Sequence, residues 1–324
     1  MKYDLGFGDS FAVREVLFKQ LGGTQALHYM VDKEVFGYAK IDGTEKLVNQ
    51  TRAVIKNFCG QKYKNVIITT GATGAIHAAL GYLIDTVVNP QIIYDDYYFF
   101  EYPNICRMHD PDAISARHSH LVSTNKIRLT ASPSNPFGEV GLFLEEPFVV
   151  WDAAYHSPAF VNKKQNIPNH DFMIGSFGKS FGLNGLRLGW IAFNDDVKEL
   201  VEKKLHTLTL GPSSSSLLVM EQVLDKLDLE SFTKESRQTI NNNREIMLAL
   251  ESYTGQAVPE NGMFYTFQSD SHIRSLLDKA GVIWTPGSIC GITEGEWVRL
   301  SLGQTNKITK KAIDSVLKID KMSN

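Results

Sequence analysis

The chain has 324 residues, of which 43% are hydrophobic and 21% are charged, and its formal net charge is −3 at pH 7. This length and composition are typical of a globular protein with one large α/β domain and a second, smaller domain. The slight acidic excess argues against a nucleic-acid-binding surface, which needs a clear excess of basic residues.

The sequence also gives little support for a membrane or metal protein. The N-terminus has no apolar signal core, and no apolar stretch is long enough to span a bilayer. The three cysteines, Cys59, Cys106 and Cys290, are far apart and form no Cys-x-x-Cys pair. We therefore expect no metal site, no disulfide framework, no membrane partner and a cytoplasmic location.

Short apolar runs that alternate with helical patterns fill the first two thirds of the chain. They predict six strands, with a helix directly after the first, at Val66–Thr70, Gln91–Asp96, Lys126–Ala131, Phe148–Ala153, Asp171–Phe177 and Leu188–Phe193. Continuous apolar strands separated by helices are typical of a mostly parallel sheet that is covered on both faces. The predicted fold class is therefore α/β.

The pattern changes after about Ser213, where long helical stretches and shorter strands predict a smaller α+β unit. We assign residues 35–225 to the large domain. The N-terminal segment, residues 1–34, joins residues 226–324 in the small domain.

Two loops that follow predicted strands carry polar or small residues. The segment Thr69–Leu80 is a strand, a small-residue turn and a helix, and such a helix start exposes backbone N–H groups that bind phosphate. It is not a Walker A loop, because no Gly-Lys-Ser/Thr follows. Further along, Asp152 ends an apolar strand, where a carboxylate is costly unless it has a partner.

The segment Ser176–Trp190 contains the lysine with the strongest chemical interest. A lysine at a partly buried strand end has a lowered pKa and can form a Schiff base, although a lone loop lysine is more often a surface residue. Lys179 has Ser176 three residues before it and Arg187 eight residues after it. A hydroxyl and a guanidinium can both bind phosphate, and these two neighbours favour a functional role for the lysine.

This segment resembles the lysine motif of the fold-type I enzymes that use pyridoxal 5′-phosphate (PLP), in the class I/II aminotransferase family. The resemblance runs from about Tyr38 to about Leu300. It implies the PLP-transferase fold type I, with a large domain whose mostly parallel sheet is flanked by helices, and a smaller α+β domain. It also implies PLP as cofactor and transfer of an amino group from an L-amino acid to a 2-oxo acid through a Lys179 Schiff base.

The resemblance also implies roles for individual residues. Lys179, Asp152 and Tyr155 would be catalytic, with Asp152 at the pyridine nitrogen. Asn135 and Tyr155 would reach the phenolic oxygen, and Asn135 and Arg299 would contact the substrate, whose carboxylate Arg299 would bind. The phosphate ligands would be Ala72, Thr73, Ser176, Arg187 and, from a partner subunit of a homodimer, Tyr38.

At some positions the residue differs from the family pattern, and at others the sequence permits more than one role. Phe99 fits best as the residue that stacks on the cofactor ring, with Tyr102 three residues later, but the register also permits Tyr98. Ser10 stands where the family usually has proline, and Gly178 replaces a small hydroxyl residue or alanine before the lysine. His156 follows Tyr155 and could touch the site, although solvated or core histidines are the simpler interpretation of the histidines.

Fold and cofactor do not by themselves choose the reaction. A PLP-dependent lyase or synthase is the main alternative, and a non-catalytic PLP-binding protein is a third. A nicotinamide enzyme would need Gly-x-Gly-x-x-Gly, where this chain has Gly-Ala-Thr-Gly. An acidic substrate would need a second arginine, for which Arg14, Arg52, Arg107, Arg117 and Arg128 are candidates, whereas aromatic residues such as Phe11, Tyr97 and Tyr98 would form an apolar pocket.

Overall fold

The computed structural model describes residues 2–23, 37–121, 125–141, 147–162 and 171–323. In chain order the strands are β1 (Tyr3–Asp4), β2 (Asn65–Thr69), β3 (Pro90–Tyr94), β4 (Ile114–Ser115), β5 (Asn125–Ala131), β6 (Phe148–Asp152), β7 (Phe172–Ser176), β8 (Gly189–Phe193), β9 (Phe264–Gln268), β10 (Val282–Ile283), β11 (Thr285–Pro286) and β12 (Trp297–Ser301). The helices are α1 (Phe11–Gln20), α2 (Glu45–Cys59), α3 (Gly71–Thr86), α4 (Tyr102–His109), α5 (Phe177–Phe181), α6 (Lys198–Thr209), α7 (Ser214–Lys226), α8 (Leu229–Met247), α9 (Glu251–Thr254), α10 (Ser271–Lys279) and α11 (Asn306–Ser323).

Seven strands form the central sheet in the order β2-β8-β7-β6-β5-β3-β4. Strand β8 runs antiparallel to both of its neighbours, and the other adjacent pairs are parallel. The six predicted strands correspond to β2, β3, β5, β6, β7 and β8, with ends that differ by one or two residues. The predicted α/β fold with a mostly parallel sheet is confirmed.

Alternate residues of the central strands enter two separate apolar cores, one on each face of the sheet. Ile67 and Val150 point into the core that includes α3 and α4, whereas Ile68 and Trp151 point into the core that includes α1, α2 and α8. Burial of both faces explains why these strands appear in the sequence as continuous apolar runs.

The carboxyl ends of the parallel strands meet at one edge of the sheet, where ligands bind in open α/β folds. Strand β6 ends at Asp152 and β7 at Ser176, and α3 begins soon after β2. The Ser176 hydroxyl oxygen accepts a hydrogen bond from the Lys179 backbone N–H at 3.3 Å and caps α5. This cap fixes the helix start that carries Lys179.

The C-terminal part contains the antiparallel sheet β11-β12-β9. The N-terminal segment joins this part, because β1 pairs in parallel with β10 and α1 packs on α8. This pairing agrees with a small domain made from both ends of the chain, although the division into two domains stays a prediction. Among the described residues, no helix combines the length and apolar character needed to cross a membrane.

Candidate active site

A cavity of about 200 Å³ lies at the carboxyl edge of the central sheet. Nine residues that the sequence predicted as cofactor ligands or catalytic groups line it: Ala72, Thr73, Phe99, Asn135, Asp152, Tyr155, Ser176, Lys179 and Arg187. They come from segments more than a hundred residues apart. The strand order of the sheet brings them together.

One end of the cavity is suited to an anion. Ala72 and Thr73 lie in the first turn of α3, whose free N–H groups carry partial positive charge. Ser176 and Arg187 line the same cavity, and an Arg187 Nη atom lies 3.7 Å from the ideal Cβ position of Gly71. Arg187 has a φ of 54°, a left-handed conformation that is uncommon outside glycine and is found preferentially at functional sites.

Asp152 is a carboxylate without an ion-pair partner in the described part of the chain. Its oxygens accept hydrogen bonds from the Tyr102 hydroxyl at 2.7 Å and from the Ala154 backbone N–H at 2.9 Å. Burial raises the pKa of Asp152, and these two donors and the positive charge of Lys179 offset part of that rise. A cationic group at this carboxylate would stabilise its ionised form.

A second carboxylate, Asp95, lies nearby but is already neutralised. Asp95 accepts hydrogen bonds from Arg128 Nη2 at 2.6 Å and from the Thr130 hydroxyl and the Ala131 N–H at 3.0 Å each. Burial nevertheless raises the pKa of Asp95. Asp152 is therefore the carboxylate of this region that is suited to a ligand cation.

The Lys179 amine projects from α5 toward the N-terminal segment. Its Nζ donates a hydrogen bond to the Gly8 carbonyl oxygen at 2.5 Å and lies 5.6 Å from the centre of the Tyr155 ring. The Tyr155 ring packs edge-on against Phe264. The amine therefore lies on the cavity wall between Tyr155 and the N-terminal segment.

Arg299, on β12, lines an adjacent cleft that shares Asn135, Tyr155 and Lys179 with the cavity. Its guanidinium donates to Asn135 Oδ1 at 2.9 Å and to Cys290 Sγ at 3.2 Å. Its charged group also lies 4.1 Å from the centre of the Phe264 ring. Since Arg299 is 7% exposed and its Nε has no described partner, it can bind an anion that enters the cleft.

Phe99 lines the cavity, whereas Tyr98 packs edge-on against Tyr94. The geometry thus favours the Phe99 register over the Tyr98 alternative. Tyr38 does not line the cavity of its own chain and is 89% exposed. Its expected contact with a partner subunit stays a prediction.

A family model described as aminotransferase class I and II matches residues 143–316, which is more than half of the chain. The chain belongs to the class I and II aminotransferase family. Members of this family use PLP as cofactor, so the family and cofactor predictions are confirmed.

Curated relatives and solved structures agree with this assignment. The chain is 21% identical to an aspartate aminotransferase of Sulfolobus acidocaldarius, over 82% of this chain and 79% of the relative. It is 23% identical to a histidinol-phosphate aminotransferase of Akkermansia muciniphila, over 78% and 75% of the two chains. An archaeal alanine:glyoxylate aminotransferase superposes with a TM-score of 0.77 at 18% identity, covering 100% of this chain and 92% of the other, and shares the fold.

Several contacts in this aminotransferase were not predicted from the sequence. Tyr102 was recognised as part of a pattern, but its hydrogen bond to Asp152 was not foreseen. Asn184 lines the cavity and donates to Asp9 at 2.6 Å, and Cys290 touches Arg299. No sequence spacing links these pairs, because the fold alone brings them into contact.

The structure explains both departures from the family pattern. Ser10 is buried, and its hydroxyl donates to the Lys179 backbone carbonyl at 2.9 Å, so it ties the N-terminal segment to α5. A Cβ atom at Gly178 would lie 2.6 Å from Asn184 Oδ1 and 3.0 Å from Asn184 Cα. With Asn184 in this position, only glycine fits before the lysine.

We expect Gly8→Ala to lower kcat/KM by about tenfold or more, because small misplacements of reacting groups cost large factors in rate. A Cβ atom at Gly8 would lie 2.7 Å from the Tyr155 hydroxyl and 3.3 Å from the Phe264 ring. Gly6→Ala is the matched control, since its Cβ would meet nothing closer than 3.4 Å. Steady-state kinetics of the two variants make the comparison, and equal rates would contradict this packing.

His156 is a core residue and does not line the cavity. It is buried against the Trp151 ring, its Nδ1 has no described partner, and burial lowers its pKa to about 4. The unfolded chain, with a histidine pKa near 6.5, binds more protons between these values. The contribution of neutral His156 to the free energy of unfolding is therefore fully present above about pH 6.5 and is lost as the pH falls toward 4.

We expect the difference in unfolding free energy between the parent protein and His156→Gln to shrink by about 2 kcal/mol from pH 7 to pH 5. Urea unfolding at the two pH values measures it. His118→Gln serves as the control, because it removes an exposed histidine in place of the buried one. A difference that stays constant with pH would contradict the buried, neutral His156.

Proposed function

We propose that this chain is a PLP-dependent aminotransferase that moves an amino group from an L-amino acid to a 2-oxo acid, with Lys179 as the residue that carries the cofactor. The observation that supports this most strongly is the placement of two groups on one cavity. These are the Lys179 amine and Asp152, a carboxylate with no ion-pair partner among the described residues.

The donor set of the cavity fits PLP. The first turn of α3, Ser176 and Arg187 would hold the phosphate, and Phe99 would stack on the ring. Asp152 would hold the proton on the pyridine nitrogen, and Asn135 and Tyr155 would bind the phenolic oxygen. When bound, PLP withdraws electrons from the α-carbon of an amino acid.

The remaining groups would bind the substrate and move its proton. Arg299 would bind the α-carboxylate with its two Nη atoms, in place of the present contacts to Asn135 and Cys290. The Lys179 amine would move a proton at the α-carbon of the substrate as a general base. Its present hydrogen bond to the Gly8 carbonyl oxygen supports a position of the N-terminal segment beside the proposed proton transfer.

We also propose that the protein works as a homodimer in a reducing compartment such as the cytoplasm. The exposed Tyr38 has no role in its own chain's cavity, which suits a residue that contributes to a partner's phosphate site. The cysteines Cys59, Cys106 and Cys290 are buried and are not joined to one another by disulfides, as expected in a reducing compartment.

Transfer of ¹⁵N from a labelled amino acid to an unlabelled 2-oxo acid tests the reaction. The PLP-loaded protein should give a ¹⁵N-labelled new amino acid together with the 2-oxo acid of the donor. Release of the label as ammonium would instead support a PLP-dependent lyase. Product analysis by mass spectrometry separates the two outcomes.

A further inference from the structure

We propose, on the basis of the function proposed above, that the preferred amino donor is an amino acid with one carboxylate and a large, uncharged, apolar side chain. The cleft next to the cavity has a volume of about 710 Å³ and would hold the substrate side chain. It is continuous with the reacting groups, because Lys179, Tyr155 and Asn135 line both spaces.

The outer wall of the cleft is apolar. Four of the exposed large hydrophobic residues line it, namely Phe7 (71% exposed), Phe100 (47%), Ile289 (44%) and Ile283 (39%). Trp284 lies among them and is half-buried. Apolar side chains grouped at a cleft in this way mark a ligand surface, because water contact with such a patch is unfavourable.

The cleft has one arginine for one substrate anion. Of the described cationic groups that line it, Lys179 and Arg187 also line the cofactor cavity, which leaves Arg299 for the substrate. A substrate with a second carboxylate, or with a carboxylate and a phosphate, would need another cation to offset its desolvation.

The other arginines cannot supply that cation within this chain. All ten arginines lie in the described ranges, and only Arg187 and Arg299 line the cleft. The five candidates named from the sequence are engaged or lie elsewhere: Arg14 with Asp9, Arg52 with Asn49, Arg117 with Asp96, Arg128 with Asp95, and Arg107 on the exposed side of α4.

Asp4, a carboxylate without an ion-pair partner among the described residues, also lines the cleft and would repel a second substrate carboxylate. Asp4 accepts a hydrogen bond from the Gly6 N–H at 3.0 Å, whereas Asp9, which also lines the cleft, is paired with Arg14 at 2.7 Å. These bonds hold both acidic groups in place near the apolar wall. The negative charge of Asp4 and the apolar wall of the cleft therefore both favour a substrate with an uncharged, apolar side chain.

A donor panel and a binding measurement test this inference with the PLP-loaded protein. We expect kcat/KM for L-phenylalanine or L-leucine to exceed that for L-aspartate, L-glutamate or O-phospho-L-serine by about tenfold or more. By calorimetry, 3-phenylpropionate should bind at least about tenfold more tightly than succinate. The calorimetric comparison requires no turnover.

Substitutions of cleft residues then test whether the cleft is responsible for the preference for apolar donors. Phe100→Ala should lower the ratio of kcat/KM for L-phenylalanine to kcat/KM for L-alanine about tenfold. Ile289→Arg should improve the rate with L-aspartate relative to the parent. Leu248→Ala is the matched control, because Leu248 is 49% exposed and does not line the cleft.

The outcomes separate this inference from the proposed function. Transfer that is fastest from a dicarboxylic or phosphorylated donor, with succinate bound more tightly than 3-phenylpropionate, overturns the inference and leaves the aminotransferase proposal intact. Absence of transfer from every donor overturns both. Preference for the apolar donors that Phe100→Ala weakens and Leu248→Ala does not supports both.

Discussion

Lys179→Ala should abolish amino-group transfer, with a loss in kcat of about 10³-fold or more, because the variant lacks both the attachment point and the general base. The lysine sits on a helix start fixed by the Ser176 cap, and its Nζ faces the cavity that Asp152 also lines. No other lysine lines that cavity in the described part of the chain. Among the described residues, no second lysine is therefore available at the cavity to take over its role.

The matched control is Lys198→Ala, which removes a half-buried helical lysine that is bonded to Asp42 and does not line the cavity. Lys179→Arg adds a second comparison, because arginine keeps the charge and cannot form the covalent link. Rates of 2-oxo acid formation, with the bound PLP measured in parallel, distinguish lost chemistry from lost cofactor. Full activity in either Lys179 variant would contradict the assigned role.

Asp152→Asn should lower kcat/KM by roughly 10²- to 10³-fold, the range seen when one preorganised electrostatic partner is removed. Asparagine keeps the shape and the hydrogen bond from Ala154 but does not hold a proton on the pyridine nitrogen. Burial already raises the pKa of Asp152, so the ionised form depends on a positive partner in the cavity.

The same substitution should leave the apo protein at least as stable as the parent at pH 7, because it removes a buried charge without an ion-pair partner. Asp171→Asn is the control, since Asp171 is a half-buried carboxylate that accepts from the Val149 N–H outside the cavity. Steady-state kinetics and urea unfolding together make the test. A parallel fall of activity and stability would indicate a structural role for Asp152 instead.

Much of the cavity could be predicted because its residues follow apolar strands. The runs that became β6 and β7 end at Asp152 and Ser176, and the carboxyl ends of parallel strands meet at one edge. The resemblance to the aminotransferase family then supplied roles for residues such as Asn135. The cavity residues could therefore be predicted from the strand ends together with the spacing of the motifs.

Other features depend on how distant elements pack, which no local pattern encodes. The hydrogen bond from Tyr102 to Asp152 depends on where α4 packs beside the sheet. The contact of Gly8 with Lys179 joins residues 171 positions apart.

The central claim is that Lys179 carries PLP in this cavity, and chemical trapping tests it most directly. The PLP-loaded protein is reduced with borohydride, digested and analysed by mass spectrometry. We predict one phosphopyridoxyl group per chain, on the peptide that contains Lys179, and none in Lys179→Ala. A label on a different lysine, or no label after loading with PLP, would contradict the claim.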